Sequence, residues 1–363
     1  ASLDFYYVAI GRVARLAKQM IASYYGRGAA HSYFDGCSTG GREAMIMSQR
    51  YPDYFDGIIS GDPAIRTGFS NLALGYMTAV FDRVAPKDAS GKPDVKKTFS
   101  DSERKLIVSS LLQKCDAKDG LKEGMIFNFQ ACTRDFDPEA LVCSGAKSDT
   151  CLSKAQADAL RTAFAGPKTA HGIQIYPGIP FDAGINDPGF IPGVLGGPVI
   201  PVATGADFAH FDPDMEAARV LGNPTALLGD STWTNLTTFA GHGGKLMFYH
   251  GLSDPWFSPL DTLGYYESMT KDTSGSLASA ESWTRIYMVP GMGHCQGGSA
   301  TLDRFDMLTA IVDWVESGKA PDRVIATGAA FPGRSRPLCP YPQYAEYTGH
   351  GDQDNASSFV CKK

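Results

Sequence analysis

The chain has 363 residues, of which 43% are hydrophobic and 20% are charged, as in an ordinary soluble globular protein. Its formal net charge is −6 at pH 7, with acidic and basic residues mixed along the chain, which argues against a nucleic-acid partner because such partners favour a basic face. No apolar run approaches the roughly 20 residues that span a bilayer, so no membrane span is predicted. The length predicts a main domain with a large insertion.

The first 65 residues alternate between helix and strand patterns. Residues 3–25 carry apolar side chains at helical spacing. The segment HSYFDGC then predicts a short strand that ends in a tight turn at Ser38. REAMIMSQR after this turn is typical of a helix, and residues 55–60 are typical of a buried strand. This order indicates an α/β sheet, and we assign residues 1–65 to the first part of an α/β core.

The middle of the chain, residues 66–240, has a different pattern. It predicts helices around residues 102–114 and 154–164, with few strong strands. Pro- and Gly-rich loops and four clustered cysteines lie between these helices. We interpret residues 66–240 as an inserted lid domain.

Residues 241–363 return to the α/β pattern and are assigned to the second part of the core. Apolar strands are predicted at residues 244–251 and 285–291. An amphipathic helix is predicted at residues 304–317, ended by Gly318, and the tail from Leu338 is predicted to be irregular.

The run Gly36-Cys37-Ser38-Thr39-Gly40 fits the pattern G-x-S-x-G. A serine on a sharp strand-to-helix turn needs small neighbours so that its hydroxyl can project, and the helix N terminus offers positive potential to a developing oxyanion. The pentapeptide alone is a weak signal, but its place between a strand and a helix favours catalysis over a plain Gly-rich turn. We predict Ser38 as a nucleophile and the Thr39 amide as an oxyanion donor.

A nucleophilic serine needs a base and an acid that orients the base, and in this fold they follow in the order Ser, Asp, His. Asp254 comes just after the predicted strand at 244–251. His294 lies in a Gly-rich loop just after the strand at 285–291. We therefore predict Asp254 as the acid and His294 as the base.

Three other residues compete for these roles. His250 stands on the strand itself and is expected to pack or to shape the turn of the acid. Asp261 is an alternative acid, but it lies further from the strand end. Asp62 follows an earlier strand and is expected to support the site from behind.

The chain has eight cysteines and no C-x-x-C pair, so a zinc ribbon or a thioredoxin-type site is not expected. An even count in a loop-rich chain suggests disulfides and an oxidising compartment, which predicts a secreted or periplasmic protein. Cys37 directly precedes the predicted nucleophile, and Cys295 directly follows the predicted base. This pattern predicts a disulfide that ties the two loops together, against the alternative of two separate buried thiols.

Three segments, GCSTGGREAMIMSQRYPDYFDGIISGDPA, HGLSDP and PGMGHC, together resemble the tannase and feruloyl esterase family. The Cys-Ser and His-Cys pairs are the most specific marks, and the resemblance covers nearly the whole chain. It implies an α/β-hydrolase core with an inserted lid. It also implies hydrolysis of small aromatic esters with galloyl, feruloyl or terephthaloyl groups.

The acidic segment CDAKDGLKEGMI, residues 115–126, offers hard oxygen ligands of the kind that calcium prefers. The resemblance implies a structural Ca²⁺ site in the lid, held by the side chains of Asp116, Asp119 and Glu123 and the carbonyls of Leu121 and Met125. The family usually has Asp where this chain has the longer Glu123. An acidic solvated turn remains the alternative.

The remaining cysteines are paired by proximity. Cys132 is expected to close the acidic segment onto Cys115. The other expected pairs are Cys143 with Cys151 and Cys339 with Cys361.

Aromatic residues follow the predicted acid. Trp256 and Phe257 are expected to line an acyl pocket, as the resemblance implies, although simple loop packing is nearly as good an explanation. Phe190, Trp233 and Phe239 are weaker candidates in the lid.

Only 37 residues precede Ser38, whereas a complete α/β-hydrolase places several strands before its nucleophile. We therefore expect the chain to be the C-terminal part of a larger protein, with a core that lacks its N-terminal strands. The alternatives are a proteolytic product, a part of a longer chain, or a subunit beside a separate N-terminal polypeptide that completes the core. Two other functions stay open: an acyltransferase or peptidase that uses the same triad, and a non-catalytic, calcium-stabilised binding protein.

Overall fold

The computed structural model describes residues 2–186 and 210–363, so Phe190 lies outside the described residues. The predicted helix at 3–25 is present as a π-helical turn, Asp4–Val8, followed by a regular helix. The α-helices are α1 (Ala9–Tyr25), α2 (Thr39–Arg50), α3 (Thr67–Asp82), α4 (Asp101–Cys115), α5 (Phe129–Asp135), α6 (Lys154–Ala165), α7 (Pro213–Leu221), α8 (Pro224–Leu228), α9 (Thr237–Gly241), α10 (Pro259–Ser274), α11 (Leu277–Ala280) and α12 (Met307–Ser317). The strands are β1 (Tyr33–Cys37), β2 (Gly57–Gly61), β3 (Lys245–Gly251), β4 (Thr284–Val289), β5 (Arg304–Phe305), β6 (Val324–Thr327), β7 (Ser335–Leu338), β8 (Tyr344–Tyr347) and β9 (Phe359–Lys362).

The main sheet is parallel and has the strand order β1-β2-β3-β4. All four strands were predicted from the sequence, and their observed ends differ by one or two residues. Since neighbouring strands run in the same direction, all four carboxyl ends meet at one edge of the sheet. The α/β class is thus confirmed.

Alternate residues of these strands bury opposite faces of the sheet. One face packs against α2 and α10 and includes Ile58, Leu246, Phe248 and Ile286. The other face packs against α12 and includes Ile59, Met247, Tyr287 and Val289. Burying one such side chain stabilises the fold by about 1.5–3 kcal/mol relative to exposure. Both faces are covered, as parallel sheets require.

Between β2 and β3, residues 62–186 and 210–244 form the helices α3 to α9 and no named strand. Several of these helices share a hydrophobic core of their own, built around Phe81, Ile107, Leu111 and Leu160. The limits 66–240 for a lid domain stay a prediction. Within the described part of the chain, no helix is long and apolar enough to cross a membrane.

The C-terminal region differs from the prediction in two places. The predicted helix at 304–317 begins only at Met307, because the Asp306 side chain caps it by accepting a hydrogen bond from the Thr309 amide at 2.8 Å. The tail predicted to be irregular contains the antiparallel pair β8 and β9, and β7 pairs with β6. These short strands pack under the sheet in the cluster that contains α12.

Candidate active site

Four polar residues follow the four parallel strands at their common carboxyl edge. Ser38 directly follows β1, and Asp62 directly follows β2. Asp254 lies three residues after β3, and His294 lies five residues after β4. This edge is where open α/β sheets place their binding sites.

Ser38 occupies a strained turn between β1 and α2. Its φ of 65° and ψ of −119° lie in a region that non-glycine residues avoid. The turn also requires Gly36, because a Cβ atom there would stand 2.5 Å from the Gly40 carbonyl oxygen. Thr39 is the first residue of α2, so its amide is among those that have no partner within the helix. The predicted nucleophile and oxyanion donor therefore share one turn.

The predicted disulfide between Cys37 and Cys295 is present, with 5.9 Å between the two Cα atoms. It joins residues that are 258 positions apart and fixes the turn of Ser38 beside the loop of His294. The other three predicted disulfides, Cys115–Cys132, Cys143–Cys151 and Cys339–Cys361, are also present.

His294 and Asp254 are hydrogen-bonded, with 2.8 Å between Nδ1 and Oδ2. Nδ1 must donate because an ionised carboxylate only accepts, and this leaves Nε2 with a free lone pair. Nε2 is buried and has no hydrogen-bond partner among the described residues, so the Ser38 hydroxyl is not bonded to it in this conformation. Such contacts commonly tighten only when substrate binds.

Asp254 is fully buried and is held by four donors. Its Oδ1 accepts from the backbone amides of Trp256 and Phe257, at 2.7 and 3.2 Å. Its Oδ2 accepts from His294 and, at 3.2 Å, from His250. Burial alone would raise the pKa of Asp254, but the hydrogen bonds from the two histidines hold it well below its usual range. Asp254 therefore stays ionised.

The pKa of His294 is shifted in the opposite direction. Burial disfavours the imidazolium, but the hydrogen bond from Nδ1 to Asp254 and the charges of Asp254 and Asp62 outweigh it. The net effect raises the pKa of His294 above its ordinary value. The imidazole is thus a stronger base than a free histidine.

The structure separates the three alternative residues, His250, Asp261 and Asp62, by their contacts. Asp261 forms an ion pair with Arg66, the residue just before α3, and does not orient His294. His250 contacts the acid itself, and Asp62 lies close to both Asp254 and His294. The structure brings His250 and Asp62 to the site but not Asp261.

One further residue of the site, Asp182, has no local sequence pattern that would single it out. Its Oδ2 accepts hydrogen bonds from the Ser253 hydroxyl and from the Gly291 amide, both at 2.6 Å. Ser253 precedes the acid, and Gly291 begins the loop of the base. This buried carboxylate therefore links the two loops that carry Asp254 and His294.

The two predicted pocket residues surround the base. The indole of Trp256 stacks on the His294 ring with 5.8 Å between centroids and an interplanar angle of 11°, and it is 40% exposed. Phe257 is buried 5.3 Å from the same ring. Phe239 lies in the core against Trp283 and is not available to a ligand. Trp233 is exposed and donates to the Asn235 carbonyl.

The acidic side chains of the predicted calcium site accept hydrogen bonds from the protein itself. Ligand atoms of Asp116, Asp119 and Glu123 do not form a group within 4.8 Å of one another. The two oxygens of Asp116 accept from the amides of Glu123 and Gly124, both at 3.0 Å. Those of Asp119 accept, at 3.3 Å, from the amides of Leu121 and Phe127.

The Glu123 carboxylate is paired with an arginine. Its carboxylate forms a buried ion pair with Arg336, whose Nε lies 3.2 Å from Oε1. Its carbonyl accepts from Arg334 at 2.8 Å. A glutamate is one methylene longer than the aspartate expected here, which allows its carboxylate to reach Arg336. The side chains of Asp116, Asp119 and Glu123 thus have protein partners in this conformation, and the calcium site stays a prediction.

Comparisons with known proteins agree with this geometry. A sequence model of the tannase and feruloyl esterase family matches residues 1–190 and 203–362. Mono(2-hydroxyethyl) terephthalate hydrolase of Piscinibacter sakaiensis is 36% identical over 99% of this chain and 68% of its own length. A probable feruloyl esterase B-2 of Aspergillus terreus is 31% identical over 99% of this chain and 71% of its own.

The fold is also similar to a solved structure. The crystal structure of feruloyl esterase B from Aspergillus oryzae aligns with a TM-score of 0.80 and 26% identity, over 99% of this chain and 74% of that one. The resemblance inferred from the sequence is thus confirmed. The chain belongs to the tannase and feruloyl esterase family and is a carboxylic ester hydrolase.

Proposed function

We propose that this chain is a serine esterase that hydrolyses aromatic carboxylic esters through an acyl-enzyme, with Ser38 as nucleophile, His294 as base and Asp254 as acid. One observation carries the proposal. The Nε2 atom of His294 is buried without a hydrogen-bond partner among the described residues, while Nδ1 is held by an ionised aspartate. The disulfide between Cys37 and Cys295 keeps this base beside the strained turn of the serine.

In the proposed reaction, Oγ of Ser38 attacks the ester carbonyl carbon while its proton passes to Nε2 of His294. The amide of Thr39 donates to the oxyanion of the tetrahedral intermediate. When the intermediate collapses, His294 returns the proton to the leaving alcohol and an acyl-serine remains. Water then attacks the acyl group with the same base, which releases the acid and restores Ser38.

The substrate class follows from the aromatic residues around the base and from the relatives. Trp256 is partly exposed and stacked on His294, so a ring attached to the reacting carbonyl can contact its edge or its face. Relatives carry the names feruloyl esterase and mono(2-hydroxyethyl) terephthalate hydrolase. Galloyl, feruloyl and terephthaloyl esters are the candidates.

The proposal also includes a lid domain and a secreted or periplasmic location, and it includes no metal ion. The helices between β2 and β3 have a hydrophobic core of their own, which supports a lid domain. Four disulfides support a secreted or periplasmic protein. Calcium and a separate N-terminal polypeptide are not part of the proposal.

The test is hydrolysis of methyl gallate, methyl ferulate and mono(2-hydroxyethyl) terephthalate by the protein and by Ser38→Ala. Ser268→Ala is the matched control, because that exposed hydroxyl bonds only to the Gly264 carbonyl of its own helix. We expect Ser38→Ala to lower kcat by at least about 10³-fold and the control to leave it unchanged.

A phosphonate probe that reacts with activated serines should modify Ser38, as located by mass spectrometry of the labelled peptide. Equal turnover by Ser38→Ala, or labelling elsewhere, would contradict the proposed mechanism. Turnover that requires an added alcohol or amine would indicate an acyltransferase instead.

A further inference from the structure

Backbone strain in this protein is concentrated at the candidate site. Among the non-glycine residues of the described chain, positive φ angles occur at Ser38, Asp62 and Cys295. The proposed function accounts for Ser38 and for Cys295, which is bonded to the neighbour of Ser38. It does not account for Asp62, whose φ is 37°. Strain of this kind persists only where surrounding contacts maintain it.

Asp62 is completely buried where β2 ends, between the strands that lead to the nucleophile and to the acid. Its amide donates to the Tyr249 carbonyl, and its Oδ1 accepts from the Gly251 amide, both at 3.0 Å. One ligand atom each of Asp62, Asp254 and His294 lies within 4.8 Å of the others. A second carboxyl group is therefore part of the site.

His250 connects the two carboxyl groups. Its Nε2 lies 3.2 Å from Oδ2 of Asp254, 3.1 Å from the Phe257 carbonyl oxygen and 3.7 Å from Oδ1 of Asp62. Nε2 must carry the proton because the carbonyl and the ionised Asp254 carboxylate can only accept. Nδ1 lies 2.8 Å from the Thr262 hydroxyl, which can donate to a neutral ring or accept from a charged one. Each ring nitrogen thus has a partner in both charge states.

We propose that Asp62 and His250 form a second acid–histidine pair that positions Asp254 and, through it, the base His294. Both are positioning residues, since neither needs to touch the substrate. His250 donates to the same Asp254 oxygen that His294 uses, so the two imidazoles share one acceptor. The inference rests on the proposed function only in treating His294 as the base.

The charges of Asp62 and His250 change the pKa of His294, because all three groups lie close together in a buried region. The titratable groups that face His250 are Asp62, Asp254, His294 and, from α10, Asp261. Burial raises the pKa of Asp62 to about 7, although the charge of His250 opposes this. The ionised form of Asp62 favours the imidazolium of His294. A proton on His250 would act on His294 in the opposite direction.

The test compares Asp62→Asn with His250→Phe. Asn tolerates a positive φ and removes the negative charge, so we expect the pKa of His294 to fall by roughly 0.5–1 unit. Phe removes both the donor to Asp254 and any positive charge, so we expect that pKa to rise. The acidic limb of kcat/KM should move in the same opposite directions.

The pKa of His294 is measured directly by NMR titration of its ring nitrogens, which requires no substrate. The matched control is Asp53→Asn, an exposed aspartate in the loop before β2. Thermal unfolding shows which variants fold, and if His250→Phe does not, Asp62→Asn decides alone. An unchanged pKa of His294 in Asp62→Asn, or equal shifts in both variants, would overturn the inference. Absence of esterase activity in the unmodified protein would instead contradict the proposed function.

Discussion

Two buried acids of this chain, Asp254 and Glu123, show what the choice of partner does to a carboxylate. Asp254 accepts from imidazoles, which can take up and release a proton near neutral pH. Glu123 accepts from Arg336, which stays protonated at any working pH. The first arrangement leaves a free basic nitrogen at Nε2 of His294. The second is a closed charge pair, suited to holding the acidic loop against β7 and to no proton transfer.

The largest effect is expected from a substitution of Asp254, the acid that accepts from the imidazoles. In Asp254→Asn the amide has almost the same shape but no charge, so His294 loses its tautomer and the stabilisation of its imidazolium. We expect kcat to fall about 10⁴-fold, measured on the preferred ester. Thermal unfolding measured in parallel separates this loss of activity from a loss of folded protein, because the amide nitrogen of Asn cannot accept the hydrogen bonds that Asp254 accepts. A loss of less than tenfold would mean that Asp254 does not orient the base.

The substitution Arg336→Met removes the ion pair of the second acid, Glu123. Removing the guanidinium leaves the buried Glu123 carboxylate without its main partner, so the free energy of unfolding should fall by about 3–5 kcal/mol in denaturant titrations. The matched control is the double variant Glu123→Gln with Arg336→Met, which removes both charges and should recover most of that loss. Equal losses in both variants would show that the pairing of the charges is not what matters.

The pH dependence of kcat/KM tests the effect of Asp254 on the pKa of His294. His294 must be neutral to accept the serine proton, and Asp254 raises its pKa above the ordinary value of about 6.5. The value of kcat/KM should therefore fall below a midpoint higher than 6.5, by roughly tenfold for each further pH unit. Steady-state rates between pH 5 and 9 measure this limb. A midpoint below 6.5 would contradict the role of Asp254.

The smallest effect concerns metal removal. Because Arg336 already neutralises Glu123 and the aspartates accept from backbone amides, we expect no measurable change of unfolding temperature between EDTA and millimolar CaCl₂. Calorimetry in both buffers checks this. A fall of several degrees in EDTA would show that the acidic loop rearranges around a cation and that the calcium predicted from the family resemblance binds.

The features that the sequence predicts depend on residues close together in the chain, whereas those it misses join residues that are far apart in the chain. Ser38, Asp254 and His294 each follow a recognisable strand within a few residues, so local patterns and chain order are enough to propose them. The contact of Asp182 with Ser253 spans 71 positions, and that of Glu123 with Arg336 spans 213. Neither has a local pattern, because each depends on how distant segments pack. The helix predicted at 304–317 starts three residues later, at Met307, because Asp306 caps its first turn.

The stack of Trp256 on His294 gives this protein a built-in optical signal. A charged imidazolium in contact with an indole quenches its fluorescence, whereas a neutral imidazole does so much less. The chain has only four tryptophans, and two of them, Trp283 and Trp314, are buried in the core away from this ring. In a Trp233→Phe background, which removes the other exposed indole, the emission of Trp256 should therefore report protonation of His294 in real time and without any label.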